Sequence, residues 1–86
     1  MPTIRFAKDP TADYNLPDHL TMMTVIGERI RLLRMQHGMS QIELARNLGK
    51  QSATYIALIE SAKRNITGAE LARVAFHFRV ELSYFQ

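Results

Sequence analysis

The sequence has 86 residues, 47% of them hydrophobic, no cysteine and a formal net charge of +3. Such a chain fits one globular domain and excludes disorder throughout, disulfides and thiolate zinc sites. Residues 1–20 hold two basic against three acidic side chains (net −1), residues 21–86 nine against five (net +4), so the globular part is basic. That balance suits a polyanion, with nucleic acid the leading candidate and a merely solubilising surface the other reading.

All three prolines, Pro2, Pro10 and Pro17, fall in the first twenty residues, which show no helical periodicity. Residues 1–21 therefore read as an extended N-terminal arm, with a loose alternation over Thr3–Ala7 that suits a short strand. From about Met22 the pattern becomes helical, and residues 22–86 read as the domain. Ile26, Ile30 and Leu33 form one apolar stripe on a first helix ending near His37, with Gly38 just past its end. Ser40 and Glu43 have capping-box spacing and open a short second helix through Leu48, closed by Gly49. A third helix is expected from about Ser52 to Ser61, with Tyr55, Ile56 and Ile59 inward. Thr67 and Glu70 repeat the capping-box spacing before a fourth helix striped by Leu71, Val74, Ala75 and Phe78. Val80, Leu82 and Phe85 suggest a last helical turn. The expected fold is all-α, a compact bundle of four to five helices.

Two short helices joined by a tight turn make a helix-turn-helix, in which the second helix fits the major groove and the first braces it. Ala45 supplies the small residue needed where the two helices touch, and Gly49 the turn. Enzymatic chemistry is not expected. There is no serine–histidine–carboxylate set, no glycine-rich phosphate loop and no pair of carboxylates at useful spacing. His19, His37 and His77 share no metal-ligand spacing, so neither a metal nor another cofactor is expected. Met22, Met23, Met35 and Met39 read as core or edge filler. No apolar run suits a membrane span or a signal peptide, which places the chain in the cytoplasm with no membrane partner.

The stretches Ile26-Gly27-Glu28-Arg29-Ile30-Arg31-Leu32-Leu33-Arg34, Ser40-Gln41-Ile42-Glu43-Leu44-Ala45 and Tyr55-Ile56-Ala57-Leu58-Ile59-Glu60 resemble the Cro/repressor (XRE) helix-turn-helix family. Lys63-Arg64 and Leu71-Ala72-Arg73-Val74-Ala75 continue the likeness, which covers about residues 25–85. The run from Thr54 to Thr67 is also similar to controller proteins of restriction–modification systems. The resemblance implies a lambda-repressor-like domain of bacterial or phage type that binds double-stranded operator DNA as a homodimer. On it, Gln51, Ser52, Ala53, Thr54, Tyr55 and Leu58 become base-contact candidates. Gln41, Arg46, Lys50, Lys63, Arg64 and Asn65 become phosphate-contact candidates, and Gln41 also buttresses the third helix. Arg34 and Glu60 occupy positions that form an internal ion pair in the family.

Three departures stand out. One extra residue lies between Gly49 and Glu60, around Lys50-Gln51-Ser52, which reshapes the turn or the helix start. Ala62 replaces the usual glycine, which disfavours a left-handed backbone there. The groove-facing set lacks an arginine for guanine and offers only Gln51 for adenine. A dimer surface is expected at Leu82, Tyr84 and Phe85, with the arm as the other candidate. The weak base-reading set also keeps open a protein partner, as for an antitoxin bound to its toxin or an adaptor bound to another regulator.

Overall fold

A computed structural model of the chain describes residues 18–86. The strand expected at Thr3–Ala7 and most of the arm lie outside those residues. Four α-helices follow in order, α1 (His19–Gln36), α2 (Gln41–Asn47), α3 (Thr54–Glu60) and α4 (Gly68–Phe78), then a terminal 3-10 helix (Leu82–Phe85). There is no strand among the described residues, and the fold is the all-α bundle expected.

Helix α1 starts three residues before the expected Met22. Asp18 Oδ1 accepts from the Thr21 backbone N–H at 2.7 Å and caps it. The early start leaves no mark in the apolar pattern because Leu20 and Met22 on the first turn face solvent. At α2 the capping box is complete: Ser40 Oγ accepts from the Glu43 N–H at 3.2 Å, and the Ser40 N–H donates to Glu43 Oε1 at 2.7 Å. At α4 only half of the expected box forms. Thr67 Oγ1 accepts from the Glu70 N–H at 3.1 Å, but the Glu70 carboxylate turns to Tyr55 and Lys50 instead.

All four helices end in the same way. Beyond each last turn one residue is left-handed, and the N–H after it returns to a carbonyl five residues back, as a Schellman motif requires. The bonds are Met39 N–H to Arg34, Lys50 to Ala45, Lys63 to Leu58 and Val80 to Ala75. Glycine holds the left-handed position after α1 and α2, but Ala62 (φ 61°) holds it after α3 and Arg79 (φ 58°) after α4. The replacement of glycine at 62 therefore does not abolish the left-handed turn. Its two hydrogen bonds, Ala62 N–H to Ile59 and Lys63 N–H to Leu58, hold it in place.

Ile30, Leu44, Ile56, Ile59 and Val74 are fully buried and form the centre of the core with Leu33, Leu48 and Phe78. Helix α1 crosses α3 closely at Gly27, where an added Cβ would lie 2.3 Å from the Ile59 carbonyl oxygen. The 3-10 helix closes the bundle against α1 and α4. Arg29 of α1 donates to the Tyr84 carbonyl at 2.6 Å, with its guanidinium 5.2 Å from the Tyr84 ring centroid. Phe85 is 1% exposed and belongs to the core, whereas Leu82 is half exposed. Of the three residues expected to meet a partner copy, Phe85 therefore has no free side-chain surface.

Candidate nucleic-acid interface

Helices α2 and α3 are joined by the turn 48–53, with Ala45 fully buried where they meet and Gly49 at φ 77° in the turn. Ile56 and Ile59 pin α3 from behind. The helix begins at Thr54 rather than Ser52. Ser52 stands outside it, and its hydroxyl oxygen accepts from the Thr54 N–H at 3.1 Å. The same hydroxyl donates to Thr54 Oγ1 at 3.0 Å, so the Thr54 hydroxyl keeps its own proton to donate outward.

The base-contact candidates divide by exposure. Gln51, Ser52 and Thr54 are exposed, Ala53 and Leu58 half-buried, and Tyr55 buried. The Tyr55 hydroxyl donates to the Glu70 carboxylate, so the one aromatic side chain of the set is turned into the bundle. Its ring carries two cations: Lys50 Nζ lies 4.5 Å and the Arg64 guanidinium carbon 4.8 Å from the centroid, within range of cation–π attraction. Lys50 also meets Glu70 at 2.9 Å. One aromatic platform thus gathers a side chain from the turn before α3 and another from the loop after it. Glu70, which organises this cluster, lies fifteen and twenty residues from its two partners, and nothing local in the sequence marks it for that role.

A second network fixes the far end of α3. Arg34 Nε donates to Glu60 Oε2 at 2.7 Å and Nη2 to Oε1 at 3.1 Å, while Nη1 donates to the Met39 carbonyl at 2.8 Å. Gln41 Nε2 adds a bond to Glu60 Oε1 at 3.0 Å. The carboxylate raises the Arg34 pKa above its ordinary value, chiefly through the hydrogen bond. The end of α1, the start of α2 and the end of α3 are thereby tied at one nearly buried carboxylate, its side chain 5% exposed. Gln41 braces α3 through this bond.

Glu60 and Glu70, the carboxylates of these two networks, are each bound to a cation. Lys63, Arg64 and Asn65 are exposed on the loop after α3, and Arg46 is exposed on α2. Neither Lys63 nor Arg64 has a salt-bridge partner among the described residues. Hence the edge flanking α3 presents uncompensated positive charge beside the exposed polar groups of Gln51, Ser52 and Thr54. Among the described residues no cluster of acidic or histidine side chains could hold a metal, and no helix is long and apolar enough to cross a membrane.

Comparison with known proteins gives a consistent picture. The family described as Helix-turn-helix matches residues 30–85. A hypothetical transcription factor of Neisseria meningitidis serogroup B is 34% identical over 65 residues, which cover 76% of this chain. The chain matches 60% of that relative's length. The crystal structure of a hypothetical transcription factor from Neisseria superposes with a TM-score of 0.68 at 31% identity, covering 83% of this chain and 80% of that one. The restriction-modification controller protein C.AhdI from Aeromonas hydrophila superposes with a TM-score of 0.68 at 26% identity, covering 77% of this chain and 98% of that one.

Proposed function

The chain belongs to the helix-turn-helix family of XRE-type DNA-binding regulators, and from that premise we propose that it represses transcription as a homodimer on operator DNA. Helix α3 enters the major groove, with two copies about one DNA turn apart. The observation that carries this reading is the exposed pair Lys63 and Arg64 beside α3, without salt-bridge partners among the described residues, while Glu60 and Glu70 are each bound to another cation. Lys63, Arg64 and Asn65 hold phosphates on one side of the helix; Gln41, Arg46 and Lys50 serve the other. Gln51, Ser52 and Thr54 face base edges, with Ala53 and Leu58 as apolar contacts, and Tyr55 positions Lys50 and Arg64 rather than reading a base.

An apolar groove of about 500 Å³ supports the homodimer. It is lined by Met22, Val25, Leu71 and Leu82, with Phe85 at its floor. Burying such a groove against its own copy is the simplest way to cover it. Likeness to a restriction-modification controller and to transcription factors supports a regulatory role.

The test is binding to the DNA directly upstream of the chain's own gene, titrated at two salt concentrations with non-specific competitor. Tight, competitor-resistant binding to a repeated half-site is expected. Weak binding governed by salt alone would overturn the operator reading. It would favour a protein partner such as a toxin, a reading to which the small number of exposed polar groups on α3 also lends support.

A further inference from the structure

A second feature of the surface lies apart from the cationic edge of α3. Helices α2 and α4 enclose an open cleft of about 490 Å³, and none of its lining residues is a base or phosphate candidate. Leu44 of α2 and Leu48 just after it form its buried apolar floor. On its rim stands Phe76, which is 84% exposed, more than any other large hydrophobic side chain among the described residues. Arg73, His77 and Arg79 complete the rim, and no acidic residue lines the cleft. Arg73 and Arg79 have no salt-bridge partner among the described residues.

We propose that this cleft docks an acidic, apolar-bearing segment of another protein, whose carboxylates meet Arg73 and Arg79 while an aliphatic or aromatic side chain packs on Phe76. Charge complementarity selects the partner. Two exposed guanidiniums with no competing carboxylate suit an acidic chain and form bidentate bonds with it. The exposed phenyl ring argues against a DNA backbone here, because a phosphodiester offers nothing that gains by covering an aromatic ring. Aromatic residues and arginine are both enriched at protein interfaces. A regulator bound through α3 would leave this cleft open to such a partner.

The test uses the full chain, labelled with nitrogen-15, and a twelve-residue peptide alternating aspartate with leucine or phenylalanine. Amide shifts at Asn47, Arg73, Phe76 and His77 are expected. Phe76→Ala and the pair Arg73→Glu with Arg79→Glu should each weaken peptide binding about tenfold or more. Phe76→Ala should leave DNA binding unchanged. Four results would overturn the proposal: no binding of the peptide, equal binding of polyaspartate, shifts centred on Lys63 and Arg64, or Phe76→Ala binding the peptide as the unaltered chain does. Loss of DNA affinity in the arginine variant with peptide binding intact would reassign the rim to DNA. A concentration-dependent self-association abolished by Phe76→Ala would reassign the cleft to a second copy.

Discussion

The Tyr55 hydroxyl donates to Glu70 at the third position of α4, and this bond sets how the basic edge of α3 is presented. With the hydroxyl anchored, the ring is fixed beneath Lys50 and Arg64. Tyr55→Leu should therefore weaken binding to every DNA sequence by a similar factor. Tyr55→Phe retains the ring and should bind nearly normally, while losing about 1 kcal/mol of stability with the hydrogen bond. Titrations on operator and on scrambled DNA distinguish these effects. A change in sequence preference in either variant would make Tyr55 a base reader.

The Arg34–Glu60 pair should dominate the stability of the helix-turn-helix unit. With side chains 13% and 5% exposed, neither charge is readily hydrated once its partner is gone. Glu60→Ala should lower the unfolding free energy by about 3 kcal/mol or more, since it strands Arg34 and frees Gln41. Arg34→Met combined with Glu60→Leu removes both charges and should lose clearly less. Urea titration of the single and double variants makes the comparison. Equal losses would mean that packing, rather than the unpaired charge, controls the outcome.

The same kind of swap should act in opposite directions at two sites. Ala62 is held at φ 61°, where a Cβ is strained, so Ala62→Gly should stabilise the chain by about 1 kcal/mol. Gly27→Ala adds a Cβ 2.3 Å from the Ile59 carbonyl oxygen and must push α1 off α3, whatever alanine gains in helix propensity. Thermal melting of the two variants should show shifts of opposite sign. A Gly27→Ala variant as stable as the unaltered chain would show that the two helices are not closely seated.

The helices can be read from the sequence wherever burial follows one face. Ile26, Ile30 and Leu33 mark α1, and Leu71, Val74, Ala75 and Phe78 mark α4. The start of α1 escapes because its first turn has no buried face, and its cap, Asp18, lies eight residues before the stripe begins at Ile26. The Thr67–Glu70 spacing suggests a full capping box, but spacing cannot show that Tyr55 and Lys50 compete for the same carboxylate. Similarly, Phe85 reads in the sequence as an apolar chain end in need of a partner, when the bundle itself supplies the cover. The pairing of Arg34 with Glu60 comes from family resemblance, since twenty-six residues separate the two. Within the candidate site the inner face of α3 is legible, since Tyr55, Ile56 and Ile59 read as inward and are buried. Only the fold shows that Gln51, Ser52 and Thr54 are the exposed base-contact candidates and that Glu70 takes the Tyr55 hydroxyl.

Stability should fall in acid partly through the helix caps. The Asp18 carboxyl is held below its ordinary range first by the Thr21 N–H, and Glu43 likewise by the Ser40 N–H. These bonds are absent in the unfolded chain, so the unfolded state takes up protons at higher pH. The caps' contribution is thus complete above the ordinary carboxylate range and is lost as pH falls through the lowered folded values. Asp18→Asn with Glu43→Gln keeps an acceptor at each cap without the titration. Between about pH 5 and pH 2, the melting temperature of this double variant should fall less than that of the unaltered chain. Parallel curves would show that the caps do not contribute to acid sensitivity.

The division of labour along α3 can be separated by salt. Lys63 and Arg64 are exposed cations without salt-bridge partners among the described residues, and cations of that kind bind phosphates by releasing counterions. Converting both to glutamate should weaken binding to all sequences. It should also flatten the dependence of log affinity on log salt by about 0.9 for each phosphate no longer neutralised. Gln51→Ala and Thr54→Ala remove hydrogen-bonding groups without changing charge, so the slope should hold while operator and scrambled DNA become harder to tell apart. Removing one side chain that reads a base edge should cost about 1–3 kcal/mol of discrimination. A charge-reversed variant with an unchanged slope would remove Lys63 and Arg64 from the phosphate-binding edge. A Gln51 or Thr54 variant that loses affinity equally on both DNAs would place that side chain on the backbone, leaving Ser52, Ala53 and Leu58 to carry the sequence preference.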